Sequence, residues 1–140
     1  MTPTQSTLSV YKTKLFVRFA RKARISDADL WKAADLANRG LIDADLGGGV
    51  IKQRIARSGE GKSGGSRSII ASRKEDRAIY IFGFEKKDQA NVDRNDLEVL
   101  RKLAKAFLGY TTADMAREIR SGQLVVIVGS ENDNASKISQ

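Results

Sequence analysis

Residues 51–87 constrain the fold most, because their apolar and cationic residues alternate with the two-residue period of a β-strand. Lys52 and Arg54 alternate with Ile51 and Ile55, so a strand here directs the two cations to one face and the isoleucines to the other. A glycine-rich stretch and two further apolar runs follow, with no helical period between them. The segment therefore predicts three adjacent antiparallel strands joined by hairpins.

The same segment holds most of the positive charge of the chain. It contains ten basic residues against four acidic ones, a net charge of +6, out of a formal +8 for all 140 residues. A basic surface concentrated on one small sheet is typical of proteins that bind polyanions. The leading partner that this distribution predicts is a nucleic acid.

The composition also limits the chemistry. The chain has no cysteine and no histidine, so disulfides are excluded and the commonest general base and zinc ligand are missing. Turn and helix-cap chemistry accounts for the aspartates, and we expect no metal and no cofactor. The polar N-terminus and the lack of a long apolar run predict a cytoplasmic protein without a membrane segment.

Residues 56–63, ARSGEGKS, fit a permissive phosphate-binding loop in which Ala56 replaces the first glycine. Such a loop needs a helix immediately after its lysine, because the N-terminal amides of that helix hold the phosphates. Here Lys62 is followed by glycines and a β-branched run, which is typical of a strand. We therefore predict a hairpin tip and no nucleotide cofactor.

The flanking segments predict the rest of an α+β domain. Alternation over 11–19 predicts a strand whose basic outer face carries Lys12 and Lys14. Helical spacing predicts helices from Ser26, from Asp93 or Asn95, and over 112–120, and a last strand over 124–128. The order β-α-βββ-α-α-β predicts a small antiparallel sheet, mixed at its edge, with helices packed on one side. We expect this domain to span 1–128, before a disordered polar tail at 129–140.

An array of cations without histidine or metal suits the cleavage of RNA. RNA carries its own nucleophile, the 2′-hydroxyl, so the protein need only align the reacting atoms, neutralise the growing charge and move two protons. Lys52, next to Arg54, is the candidate general base. Arg67 and Lys62 are candidates for holding the phosphate, and Lys86 for assisting the leaving group. For any one of these cations alone, a solvated surface charge is an equally good interpretation.

Several stretches resemble the RelE/HigB superfamily of bacterial toxins from type II toxin–antitoxin pairs. The most specific is the combination of GKSGGSR at 61–67 with DRAIYIFGFEK at 76–86. The resemblance covers residues 10–128 or so. The other matching stretches are YKTKLFVRFARKAR at 11–24, SDADL at 26–30, GLIDADLGGG at 40–49, KQRIAR at 52–57, Asn91, the helix at 97–106 and GQLVV at 122–126.

The resemblance implies a small α+β toxin that cleaves mRNA, usually in the ribosomal decoding site. It implies mRNA and the ribosome as partners, together with an antitoxin made from the same operon. It also places the residues that handle RNA on the sheet face and its loops. The predicted catalytic residues are Lys52, Arg54, Arg67 and Lys86, and the predicted RNA-binding residues are Arg57, Lys62, Arg77, Lys12 and Lys14.

Three functions stay open at this point. Some relatives use a C-terminal tyrosine or histidine for proton transfer, and this chain has no histidine and no tyrosine after Tyr110, so its general acid and base are not identified. The superfamily also contains toxins that inhibit DNA gyrase, and a plain nucleic-acid-binding module is the third interpretation. Cations at alternating strand positions that face one way favour the endoribonuclease.

Overall fold

The computed structural model of the protein describes residues 7–56, 65–89 and 91–129. Within these ranges, no helix is both long enough and apolar enough to cross a membrane. The elements in chain order are β1 (Ser9–Thr13), α1 (Lys14–Ala23), α2 (Asp27–Asn38), β2 (Ala44–Gly47), β3 (Val50–Ile55), β4 (Ser66–Arg73), β5 (Arg77–Glu85), α3 (Arg94–Gly109), α4 (Thr112–Arg120) and β6 (Leu124–Ile127).

The six strands form one open sheet in the order β2-β3-β4-β5-β1-β6. β1 runs parallel to β5, and the other neighbouring strands are antiparallel. The three strands predicted from the alternation of residues 51–87 are β3, β4 and β5, which lie side by side. The predicted α+β class with a mainly antiparallel sheet is therefore confirmed.

The helices cover both faces of this sheet, where the sequence had predicted one side. On the α1/α2 face, the two N-terminal helices pack on Ile70 and Tyr80. On the α3/α4 face, the two C-terminal helices pack on Ile69 and Ile79. Neighbouring residues of β4 and of β5 thus enter different cores, and both strands contain consecutive apolar residues because both of their faces are buried.

The first strand is shorter than predicted: residues 11–13 lie in β1, but the prediction that the strand continues over 14–19 was wrong, because those residues lie in α1. β1 ends at Thr13, whose hydroxyl accepts a hydrogen bond from the backbone N–H of Phe16 (3.2 Å) and caps α1. Phe16 and Ala20, four residues apart, are buried on one side of this helix. Their burial on a helical stripe, together with the cap, outweighs the alternation in the sequence.

The capping signals in the sequence predicted the other helices well. In α2, the hydroxyl of Ser26 accepts from the N–H of Asp29 (3.1 Å), and the Asp29 carboxylate accepts from the N–H of Ser26 (3.3 Å). α3 begins directly after its cap, Asp93. The sequence analysis assigned no strand to β2, a four-residue edge strand with an irregular register.

Candidate nucleic-acid interface

Three of the four predicted catalytic cations lie on neighbouring strands. Lys52 and Arg54 are two residues apart on β3, and Arg67 on β4 pairs directly with Arg54. Residues in such positions project to the same face of a sheet. This is the α3/α4 face, because Ile69, two residues after Arg67, packs in that core. We call Lys52, Arg54 and Arg67 the cationic corner.

Arg54 and Arg67 form a cross-strand pair of like charge. The bond from the N–H of Ser72 to the carbonyl of Gly49 (2.8 Å) sets the ladder so that the two arginines are a non-hydrogen-bonded pair, the type with the closest side chains. Like charges directly opposite each other destabilise a sheet. Such a pair gains stability when an anion lies between or above the two guanidinium groups.

The cross-strand pairing continues from the cationic corner to two aromatic residues on β5. Phe84 pairs with Arg67, and Phe82 pairs with Ile69. The ring centroids of the two phenylalanines are 6.1 Å apart. Two rows therefore cross β3, β4 and β5, each with a cation at one end and a phenylalanine at the other. Proteins that bind single-stranded nucleic acid combine cations, which contact the phosphates, with aromatic rings, on which the bases stack.

A β-bulge puts these aromatic residues on the α3/α4 face. Ile69 pairs with Phe82 whereas Ile70 pairs with Tyr80, so Ile81 is the extra residue. Tyr80 packs on the α1/α2 face, but Phe82 and Phe84, at even-numbered positions like it, pack on the opposite face. The sequence analysis missed this role of the phenylalanines. The apolar run through Ile81 is unbroken, so nothing in the sequence marks the point at which the side chains change to the other face of the sheet.

Lys52 is held by a residue from outside the sheet. Its ammonium donates a hydrogen bond to the side-chain oxygen of Asn91 (3.1 Å), which lies just before the cap of α3. Lys52 is half-buried and Asn91 is exposed. The bond directs the ammonium without cancelling its charge, because the amide oxygen is neutral.

Arg67 is held by Asp43, at the start of the edge strand. Its Nε lies 3.4 Å from Oδ2 of Asp43, and its Nη1 donates to the carbonyl of Ser66 (3.3 Å). The side chain of Arg67 is 17% exposed. Asp43 is itself fixed, because its N–H donates to the carbonyl of Lys52 (3.1 Å) and to the side-chain oxygen of Gln53 (3.3 Å). Within the described residues, neither bond of Arg67 uses Nη2, which can donate to a ligand.

Lys86 continues the same face beyond the end of β5. Its N–H donates to the carbonyl of Gly65 (2.5 Å), one step along the ladder from Arg67 and Phe84. An added Cβ at Gly65 would lie 2.7 Å from the Cβ of Lys86, so the two residues are in close contact. Arg57 and Lys62, two of the predicted RNA-binding residues, lie outside the described residues, as do residues 130–140 of the predicted tail.

The remaining three predicted RNA-binding residues are not brought to the cationic corner, which corrects the prediction of a shared surface. Arg77 begins β5, at the opposite end of that strand, and donates to two carbonyl oxygens at the end of α3 (2.9 and 3.1 Å). Lys12 forms an ion pair with Asp27 (2.5 Å) on the α1/α2 side. Lys14 is the first residue of α1 rather than part of a strand.

The cationic corner offers hydrogen-bond donors and positive charge, the chemistry that binds phosphate. Within the three described ranges, no group of three or more metal-ligating side chains gathers at one place. Residues 66–73 after the glycine-rich stretch form β4. The stretch at 56–63 therefore leads into a strand, rather than into the helix that a nucleotide-binding loop requires.

Comparison with known proteins identifies the family of the chain. The profile of a family described as the RelE toxin of the RelE / RelB toxin-antitoxin system matches residues 8–127, a span that includes every element from β1 to β6. No curated protein matches the chain. The match covers well over half of the sequence and implies a cognate antitoxin as partner. The chain belongs to the RelE family, as a RelE-type toxin of a toxin–antitoxin system.

Proposed function

We propose that this toxin is a metal-independent endoribonuclease that cleaves mRNA on the ribosome, in the cytoplasm. The single observation that carries the proposal is the clustering of Lys52, Arg54 and Arg67 on one face of the sheet. Two arginines on neighbouring strands, at directly paired positions, can donate together to the oxygens of one phosphodiester. Phe82 on β5, which is only partly buried, supports a single-stranded substrate, since every base has a face that stacks on a ring.

In the proposed reaction, the 2′-oxygen attacks the adjacent phosphorus and the bond from phosphorus to the 5′-oxygen breaks. The products are a 2′,3′-cyclic phosphate and a 5′-hydroxyl. Arg67 and Arg54 hold the non-bridging oxygens and stabilise the charge that grows on them. Lys52 is the general base that takes the proton of the 2′-hydroxyl, and Lys86 gives a proton to the leaving 5′-oxygen.

The proposal assigns the ribosome a share of the positioning. Holding the attacking oxygen, phosphorus and leaving oxygen in line is a large part of the rate in such a displacement. The cationic corner contacts the phosphate from one side, so a second surface that fixes the mRNA is needed to set the line of attack. A ribosome that holds a codon supplies that surface.

A map of mRNA 5′ ends after brief induction tests the proposal. We expect new ends in translated mRNA, in phase with codons, from the wild-type toxin. Lys52→Ala should remove them, whereas Lys102→Ala, which removes an exposed lysine of α3, should leave them unchanged. DNA breaks with intact mRNA would instead indicate gyrase inhibition. If both mRNA and DNA stayed intact, a plain nucleic-acid-binding module would be the remaining function.

A further inference from the structure

A cleft of about 630 Å³ opens beside the aromatic ends of the two rows. One wall is the second half of β5 with the turn after it, and the other is the last turn of α1. Its lining includes three cations and three aromatic rings: Lys22, Arg24, Lys87, Phe19, Phe82 and Phe84. No step of the proposed cleavage uses this cleft.

The cleft exists because β5 outruns its neighbour. β1 pairs with β5 only from Arg77 to Tyr80, since the chain turns into α1 at Lys14. Beyond Tyr80, no described strand pairs with the free edge of β5. α1 crosses this edge closely, because an added Cβ at Gly83 would lie 2.3 Å from the ring of Phe19. The space left between the end of α1 and the end of β5 is the cleft.

The open edge of β5 directs a backbone donor to the cleft. The bond from Lys86 to Gly65 fixes which residues of β5 bond to β4. In an antiparallel ladder these alternate, so Phe84 faces β4 and the N–H of Gly83 points to the other edge of β5. A backbone N–H at a strand edge, next to cations, favours an anion.

The three cations of the cleft are not neutralised by the described protein. Lys22, Arg24 and Lys87 form no ion pair within residues 7–56, 65–89 and 91–129. Two acidic residues, Glu85 and Asp88, also line the cleft. The carboxylate of Glu85 already accepts a hydrogen bond from the hydroxyl of Ser66 (2.5 Å). The lining therefore keeps an excess of positive charge beside an aromatic wall.

We propose that this cleft binds the nucleotides of single-stranded RNA that flank the scissile phosphate. A base stacks on Phe82 at the mouth of the cleft, and the backbone phosphates contact Lys22 and Arg24. The path from the cationic corner is continuous, because Phe84 is the cross-strand partner of Arg67 and only about 10 Å, two strand spacings, separates β3 from β5. This inference rests on the proposed function, which supplies the RNA.

The test compares the affinities of the toxin for a trinucleotide and an octanucleotide of 2′-O-methyl RNA, which lacks the nucleophile and stays intact. Fluorescence anisotropy over a range of salt gives each affinity and its salt slope. We expect the octanucleotide to bind more tightly. The double variant Lys22→Ala/Arg24→Ala should lose most of that gain and should flatten the salt slope by about 1.4, the value for two phosphates on a single strand.

The matched control is Arg18→Ala/Arg21→Ala, which removes two exposed cations from the same helix outside the cleft. Its octanucleotide affinity should fall clearly less than that of Lys22→Ala/Arg24→Ala. Equal losses in both variants would mean that only the net charge matters and would overturn the inference. An unchanged octanucleotide affinity in Lys22→Ala/Arg24→Ala would also overturn the inference. The same holds if this variant loses affinity only for the antitoxin.

Phe82→Leu provides a second test that is independent of charge. Leucine keeps most of the packing against the α3/α4 core and removes the stacking face. We expect octanucleotide affinity to fall by about fivefold or more, with the salt slope unchanged. An unchanged affinity would remove the stacking step. If the toxin binds RNA through the cleft but leaves mRNA intact, the proposed function alone is overturned. If the toxin cleaves mRNA and the cleft variants keep full affinity for the octanucleotide, this inference alone is overturned.

Discussion

The two ends of the β4–β5 pair both carry cations, but the cations have different partners. At the turn end, Arg73 and Arg77 both bind the carboxylate of Asp76 (2.6 and 3.2 Å), and Arg77 also binds two carbonyl oxygens that end α3. At the other end, within the part of the chain that the structure describes, Lys52 binds the neutral amide oxygen of Asn91, and Arg67 forms an ion pair with Asp43 at 3.4 Å.

The difference shows that partners, rather than the number of cations, decide what a basic residue of this sheet does. A guanidinium bound to a carboxylate and to carbonyl oxygens has its charge and its donors satisfied, so a phosphate would have to displace all of them. Among the described residues, nothing cancels the charge of Lys52 or uses Nη2 of Arg67. The turn end therefore stabilises the fold, whereas Lys52 and Arg67 can bind an anion.

The largest effect should come from removing Arg67, which is matched by Arg73 on the same strand. Arg67→Ala should slow mRNA cleavage by about 10²–10³-fold, because it removes a donor that stabilises charge in the transition state. Arg73→Ala should leave the rate nearly unchanged. Single-turnover cleavage of mRNA bound to ribosomes measures both. Similar rates for the two variants would contradict the assignment of different roles to the two ends.

A stability effect without loss of activity should follow from Arg77→Ala. The Arg77 side chain is 13% exposed, and it bonds to Asp76 and to the carbonyls at the end of α3. Losing hydrogen bonds of a charged group costs about 2 kcal/mol in the free energy of unfolding. Urea denaturation measures that cost, and cleavage per folded molecule should equal that of the wild type. Lost cleavage at unchanged stability would instead return Arg77 to the RNA-binding surface.

The sequence predicted the central strands and the helix caps because local signals determine them. The alternation of Lys52 and Arg54 with isoleucines specifies which way two catalytic candidates face, and Ser26 with Asp29 specifies the start of α2. The signal failed over 11–19, where alternation and helical spacing coexist. There the tertiary packing of Phe16 against Tyr80, with ring centroids 4.8 Å apart, selects the helix.

The partners in the candidate site could not be predicted, because they depend on long-range contacts. Asn91 and Asp43 reach the cations from a loop and an edge strand, and nothing in their local sequence specifies that contact. The bulge at Ile81 reverses the faces of Phe82 and Phe84, and a one-residue shift of this kind leaves no mark in an apolar run. The cations form a site only because the strand pairing and the long-range contacts bring them together with their partners.

The smallest expected effect belongs to Glu75, in the turn between β4 and β5. Its carboxylate accepts from the side-chain N–H of Asn38 (2.6 Å), and its own N–H donates to the Asn38 oxygen (2.7 Å). Thr7 donates to the carbonyl (2.5 Å) and to the carboxylate (3.3 Å) of Glu75. The bond from Asn38, followed by those from Thr7, lowers the pKa of Glu75 below its usual value of 4.5.

A pKa lowered by folding makes stability depend on pH in a defined direction. The ionised Glu75 contributes stability that is fully present above its unfolded pKa, near 4.5, and that is lost as the pH falls through the lower, folded pKa. The difference in unfolding free energy between wild type and Glu75→Gln should therefore shrink with acidification below pH 4.5. Urea denaturation at a series of pH values measures it.

Asp114→Asn is the matched control for this titration. Its carboxylate has a pKa lowered by the N–H of Thr111, at the cap of α4, so it should show the same trend in a different element of the structure. If cleavage at neutral pH changed in Glu75→Gln, the turn end would be coupled to the cationic corner. If Glu75→Gln cleaves at the wild-type rate and its stability depends less on pH, the two ends act independently. The charge of Glu75 then affects only the turn between β4 and β5.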